Sequence, residues 1–213
     1  MSLLLFPIYL FSQNNVGELH NDIIMSVFED NPLQGISSPS EKQKILEDFV
    51  YKEFSEREYK VSLDIIKTGF DLKDQDDILS FVKENYSFAF YSEIEKDFTY
   101  LINNPEIGMH KYFASKVQKI EFEGKEKEMY NILKEVAINS EELWTSKIGY
   151  EILGYIGIKN ITNRPPRWFK ELKELAVQDV GGSLIGGIFG GPVGAAGGGV
   201  VASLSCVINN TVN

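Results

Sequence analysis

Residues suited to metal binding or nucleophilic attack are scarce in this 213-residue chain: two histidines, His20 and His110, and one cysteine, Cys206. His20 stands among Glu18, Asn21 and Asp22, and His110 beside Met109 and Lys111. Neither has a metal-binding side chain three or four residues further on, so a helix would not pair either into a site. One cysteine excludes an intramolecular disulfide and a multi-thiolate metal centre. Cys206 has uncharged apolar neighbours and nothing that would turn it into a thiolate nucleophile. The acidic run Asp71, Asp74, Asp76, Asp77 has the composition of a calcium loop but not its pattern. Lys73 and Gln75 interrupt the ligands, the turn glycine is missing, and Val82 stands where a bidentate Glu belongs. A solvated helix start is the better reading. The glycine-rich stretch lacks the Gly-Lys-Ser/Thr of a phosphate-binding loop. The expectation is a non-enzyme with no catalytic residues, no metal and no cofactor. A hydrolase or transferase built from distant carboxylates is a remote third possibility.

The spacing with a physical consequence belongs to glycine. From Gly182 the chain reads in tetrads, GSLI GGIF GGPV GAAG GGVV ASLS. Positions 182, 186, 190, 194 and 198 are all Gly, and the adjacent row at 183, 187, 191, 195, 199 and 203 is Ser, Gly, Gly, Ala, Gly, Ser. Residues four apart form one ridge of a helix, and a ridge of small residues lets another backbone approach closely. One such pair is weak evidence, but five consecutive glycines beside a second small row are specific for close helix packing. The predicted packing residues are Gly182, Gly186, Gly187, Gly190, Gly191, Gly194, Gly198 and Gly199.

Glycine costs a helix about 1 kcal/mol per residue relative to alanine, so an isolated helix here should not form in water. It needs lipid or a packed partner. Val180 to Ile208 is free of charge and long enough for a single span. Pro192 should bend it or make it a helical hairpin, turning near Gly191-Pro192 or Gly197–Gly199. The segment is therefore expected to be conditionally membrane-active, soluble while sheltered and inserted or oligomeric once released. On that reading a chain ending at Asp179 would leave a soluble folded body.

The elements around this segment read as helices. All 21 basic and 31 acidic residues lie between Glu18 and Asp179. In that body apolar residues recur at three- and four-residue spacing with little alternation. Ser40 with Gln43, and Asn139 with Glu142, match capping boxes, and Gly69 stands where a helix running from Arg57 would end. Glu106 to Ile120 and Lys125 to Ile138 read as a helix pair, while Ser87–Tyr91 and Ile120–Phe122 have minority readings as strands. About seven helices with short connections predict an all-α fold, an irregular antiparallel helical bundle with a C-terminal glycine-zipper helix or hairpin.

Pro165-Pro166 starts a last amphipathic helix, in which Arg167, Trp168 and Lys170 suit an anchor at a membrane interface. The apolar run Leu3–Phe11 is too short to span a bilayer but suits the core of a signal peptide, without the usual basic start. The expected division is a truncated signal peptide at 1–13, a helical body at 14–164, a connecting helix at 165–180 and the zipper at 181–208. A net charge of −10 argues against nucleic acid as a partner. The expected partners are a lipid membrane or the chain itself as a homo-oligomer.

The ending FSQNN and the stretch NNVGELHN (Asn14–Asn21) resemble the start of uncharacterised exported proteins of Bacteroidota with small-residue tails. The tail resembles the glycine zippers of bacteriocin-like peptides and of outer-membrane glycine-zipper lipoproteins, over about 30 residues and without a lipobox cysteine. The resemblance implies export, to the periplasm, the outer membrane or the medium, and for the tail a membrane-associated or membrane-perturbing role. Without a signal peptide the location would be cytoplasmic. The competing expectation is an interaction protein whose tail self-associates or docks a partner in solution.

Overall fold

The computed structural model describes residues 16–71, 75–116, 122–155 and 165–210. Among them the chain forms nine helices and no strand: α1 (Val16–Asp30), α2 (Pro39–Glu56), α3 (Leu63–Asp71), α4 (Gln75–Asn85), α5 (Phe88–Asn103), α6 (Met109–Ser115), α7 (Gly124–Thr145), α8 (Lys147–Tyr155) and α9 (Pro165–Asn210). The fold is all-α, as the spacing of apolar residues requires. Residues 1–13, read as a signal peptide, lie outside the described residues, as do the side chains of Arg167, Trp168 and Lys170.

Local chemistry explains where the helix boundaries depart from expectation. The cap of α2 is Ser38, whose Oγ accepts from the amide of Glu41 at 3.4 Å, and Ser40 lies inside the helix. Pro39 sets this start, because its fixed φ and missing N–H suit the first helical position. Helix α3 begins at Leu63 rather than near Arg57, and Gly69 lies within it rather than ending it. Asn139 opens no helix. It sits inside α7, where its Nδ2 donates to Glu135 O and its own carbonyl accepts from Asn21 Nδ2, both at 2.9 Å. The break falls at Ser146, whose Oγ accepts from Gly149 N at 3.0 Å. Ser87 caps α5 through its Oγ to Phe90 N at 3.2 Å, so residues 88–91 are helix and not strand. Helix α6 is shorter than the expected Glu106–Ile120 element, and Ile120 and Glu121 lie outside the described residues.

The C-terminal segment is not a tail. Helix α9 breaks at Gly191, which takes φ 59° and ψ −148°, and Pro192 follows it. That backbone conformation is costly for any residue with a Cβ, and Pro192 can open a new helix because its missing amide needs no partner there. Two arms fold back on each other, and α9 packs against α1, α2, α3, α4, α5 and α7. Val180, Leu184, Ile185, Val200, Val201 and Leu204 are buried together with Ile23, Val50, Ile66, Ile78 and Val136 of the surrounding helices. The boundary drawn at residue 181 thus runs through the middle of one continuous core. The expected soluble remainder would therefore have to fold with the partners of this segment uncovered.

A polar knot joins α5, α6 and α7. Asp97, 2% exposed, accepts from Tyr112 Oη at 2.5 Å, from Tyr130 Oη at 2.9 Å and from Lys116 Nζ, while Glu93 lies 2.7 Å from the same ammonium. Burial, then the neighbouring Asp97 carboxylate, raises both phenols well above the ordinary tyrosine range. Both tyrosines therefore act as fixed donors.

Candidate functional site

The hairpin interface is made of bare backbone. A Cβ built on Gly182 would lie 2.7 Å from the carbonyl carbon of Gly198 and would collide with its oxygen; one on Gly198 would collide with Gly182 O. Gly186 and Gly194 face each other in the same way, each Cβ running into the other's carbonyl oxygen. Real Cβ atoms do not approach so closely, so at these four positions glycine alone allows the crossing. The remaining predicted packing residues do other things. Gly187 faces Met129, with Sδ 2.8 Å from a Cβ placed there, and Gly190 meets only Ile65 Cδ1 at 3.0 Å. Gly191 makes the turn, and nothing lies within 4 Å of its added Cβ. Gly199 faces Ser183 Oγ at 2.6 Å and the Asp179 carbonyl and His20 Cδ2 at 3.0 Å. Within the chain, the partner of the small-residue ridge is its own continuation after the turn. Gly69 completes the fit from outside, because a Cβ there would lie 3.0 Å from Val201 Cβ.

The two ends of the hairpin differ in character. At the tip, Phe189 is 62% exposed and Ile188 37% exposed, while Gly190 to Val193 are half-buried. Phe81 of α4 approaches Phe189 with ring centroids 6.4 Å apart. A cleft of about 420 Å³ opens beside the tip, with Met129, Ile132, Gly187 and Pro192 among its apolar lining and Asn85, Lys125 and Glu128 among its polar one.

At the base the hairpin is clasped by polar groups. Asp179, the last charged residue of the chain, is fully buried. Its Oδ2 accepts from Ser140 Oγ and, at 3.1 Å, from Trp144 Nε1, both on α7. His20 of α1 places Nε2 3.4 Å from the same oxygen and bonds through Nδ1 to Asn21 Oδ1 at 2.9 Å. His20 and Asp179 thus lie in contact without a hydrogen bond between them. Among the described residues, His20 Nε2 and Asp179 Oδ1 have no hydrogen-bond partner, nor do the buried hydroxyls of Ser183 and Ser203. Ser140, Asp179 and His20 do not make a nucleophile, because Ser140 bonds the acid rather than the imidazole and all three are closed to solvent. What the arrangement can do is tie α1 and α7 to the mouth of the hairpin.

The spacing around His20 pairs it with no metal ligand, and no motif singles out Asp179. The signal was present, since both lie on apolar faces: Asp179 follows Leu175 and Ala176 on one stripe, and His20 sits among Val16, Leu19, Ile23 and Ile24. A charged or titratable residue at a core position points to a buried partner. His110 is exposed on α6.

Helix α1, which carries His20, is tied to α7 at its start. Glu135 accepts from Gly17 N at 3.3 Å, and burial raises its carboxyl to about 7 against the pull of the Gly17 and Val16 amides. The folded chain therefore holds this proton to higher pH than the unfolded chain, whose value is near 4.5. Stability from this group is full below about pH 4.5 and declines as pH rises towards about 7. After solvent screening of a half-exposed side chain, the loss should be on the order of 1 kcal/mol. Urea midpoints of the wild type and Glu135→Gln from pH 4.5 to 8 should converge at the acid end and separate in favour of the variant above pH 7. Parallel curves would remove Glu135 from the pH dependence.

By length and composition, the stretch Leu175–Ser205 is apolar enough to cross a membrane, as the core helix of a soluble protein can also be. The chain matches no family model, no curated protein and no solved structure.

Proposed function

We propose that this chain is an exported, non-enzymatic protein that associates with membranes or perturbs them, in the manner of a toxin or bacteriocin, by releasing its glycine-rich hairpin from the bundle. The observation that carries the reading is the placement of the longest charge-free stretch of the chain. It is held at the centre, inside a sheath of charged amphipathic helices. Such a hairpin is soluble only while covered, and its arms can stay packed on each other in lipid because their glycine contacts are internal. Eleven Leu, Ile, Val and Phe residues between Val180 and Ile208 favour insertion by about 0.3–0.6 kcal/mol each.

A second reading has an observation of its own. The glycine rows and Gly69 already have partners within the chain, as they would if the hairpin were the permanent core of a soluble interaction protein. A tether separates the two. Cysteines at Gly69 and Val201, in a Cys206→Ser background, would join α3 to the hairpin once the two Cβ positions, 3.0 Å apart, move outward by about half an ångström or more to disulfide range. Dye-loaded phosphatidylcholine and phosphatidylglycerol vesicles should leak when the reduced protein is added and stay intact with the oxidised one. Equal leakage in both states would sink the release step, and intact vesicles throughout would leave the soluble reading.

A further inference from the structure

We infer that the hairpin enters lipid intact and tip first, and that Ile188 and Phe189 at its turn are the surface that first meets the bilayer. The inference rests on the membrane reading above and adds to it a contact surface and a direction. Along the charge-free segment, burial is continuous from Val180 to Gly187 and again from Gly194 to Ser205, and among the described residues between them Ile188 and Phe189 are exposed and 190–193 half-buried. The uncovered stretch contains no charge, and the nearest one along the chain is Asp179, itself buried at the opposite end. The nearby surface is apolar over part of its extent, with Lys125, Glu126 and Glu128 lining the adjoining cleft. Phe88, next in sequence to Ser87 at the edge of the cleft, is 80% exposed, and Phe81 lies against Phe189.

Lipid is the occupant these facts favour over a protein groove. The exposed tip is continuous with a segment apolar enough to follow it into the membrane, whereas a docking patch for a protein has no reason to extend through the core. Tip-first entry also follows from the turn. Straightening α9 into one span would need Gly191 to leave its left-handed φ and would put Pro192 in a helix interior, where its ring clashes with the preceding turn. As a hairpin the arms keep the Gly182–Gly198 and Gly186–Gly194 contacts. The charge-free part of the first arm, Val180 to Gly190, then reaches about 16 Å into the bilayer, so that Asp179 stays near the headgroups.

The test is flotation of the full chain with phosphatidylcholine vesicles, comparing wild type, Phe189→Glu and Ile148→Glu. Ile148 is a control, 47% exposed on α8 and outside the tip. Both variants alter exposed side chains and should keep the wild-type thermal midpoint. Wild type and Ile148→Glu should float equally, with Phe189→Glu partitioning at least about tenfold less. A Phe189→Cys, Cys206→Ser chain carrying an environment-sensitive dye should shift to the blue on the same vesicles, and a dye at Tyr51 of α2 should not. Flotation unchanged by Phe189→Glu would overturn the tip while leaving membrane association standing. Wild type failing to float would overturn both. A dimer that light scattering finds without lipid and that Phe189→Glu abolishes would make a second copy the occupant.

Discussion

A chain ending at Asp179 is expected to lose its cooperative fold altogether. Val180, Leu184, Ile185, Val200, Val201, Leu204 and Ile208 are all buried beyond that point. At about 1.5–3 kcal/mol each, they contribute roughly 10–20 kcal/mol of burial, against a net stability of about 5–15 kcal/mol for an ordinary domain. The partners they leave behind, including Phe54, Ile66, Ile78 and Val136, would also be opened to water. Circular dichroism should show reduced helix with no cooperative melt, and gel filtration should show aggregate. A truncated chain that melts cooperatively would mean that the outer helices form a core of their own.

Single glycines refine the same prediction. Gly186→Ala puts a methyl against the Gly194 carbonyl, which must force the arms apart at about 1–3 kcal/mol or more. Gly190→Ala meets only the flexible end of Ile65 and should be neutral or slightly stabilising. The two residues occupy the same row of the tetrad pattern, so urea midpoints that treat them alike would argue against the crossing geometry.

That contrast shows what could and could not be read from the sequence. The tetrads specify a backbone approached closely by another backbone, and Pro192 specifies a break, so hairpin and close packing were both legible. The identity of the opposing surface was not. A small-residue ridge is equally suited to lipid-embedded neighbours, to a second copy or to its own return arm, and only the turn at Gly191 selects the last. Absence of charge is ambiguous in the same way, because a buried hairpin and a membrane span have the same composition. The helical body was legible from its apolar spacing, but local caps moved its boundaries. Ser40–Gln43 and Asn139–Glu142 fit the capping pattern, yet Pro39 and the packing of Asn139 against Asn21 decided otherwise. The clasp was within reach at each residue separately, as polar side chains on apolar stripes. Its assembly joins residues from α1, α7 and α9, a distance in sequence that no local pattern records.

Replacing Asp179 should produce the largest effect of any single side chain in that clasp. Asp179→Ala removes the shared acceptor of Ser140 Oγ and Trp144 Nε1 and the neighbour of His20, and it leaves those two donors buried without that acceptor beside the already unpartnered His20 Nε2. Breaking one side of such a buried set costs about 3–5 kcal/mol. Asp179→Asn keeps an acceptor for the two donors and should cost less. Urea denaturation followed by helix content gives the comparison, and Trp144 emission reports on the site directly. A loss below about 1 kcal/mol for Asp179→Ala would show that water already reaches the clasp.

The clasp also bears on release, because a buried carboxylate with an orphaned oxygen is an expensive way to close a core. Asp179→Leu combined with Ser140→Ala, Trp144→Phe and His20→Phe replaces the set with apolar groups, a change that elsewhere is neutral or stabilising by about 1–4 kcal/mol. If the polar base serves only to hold the fold, this chain should be as stable as the wild type and equally able to release dye from vesicles. If the base sets how readily the hairpin leaves its sheath, stability and release should move in opposite directions: a chain of unchanged or raised urea midpoint whose vesicle leakage falls. That opposed movement is the expected result, since an apolar base has no unsatisfied group for water or lipid headgroups to relieve on opening.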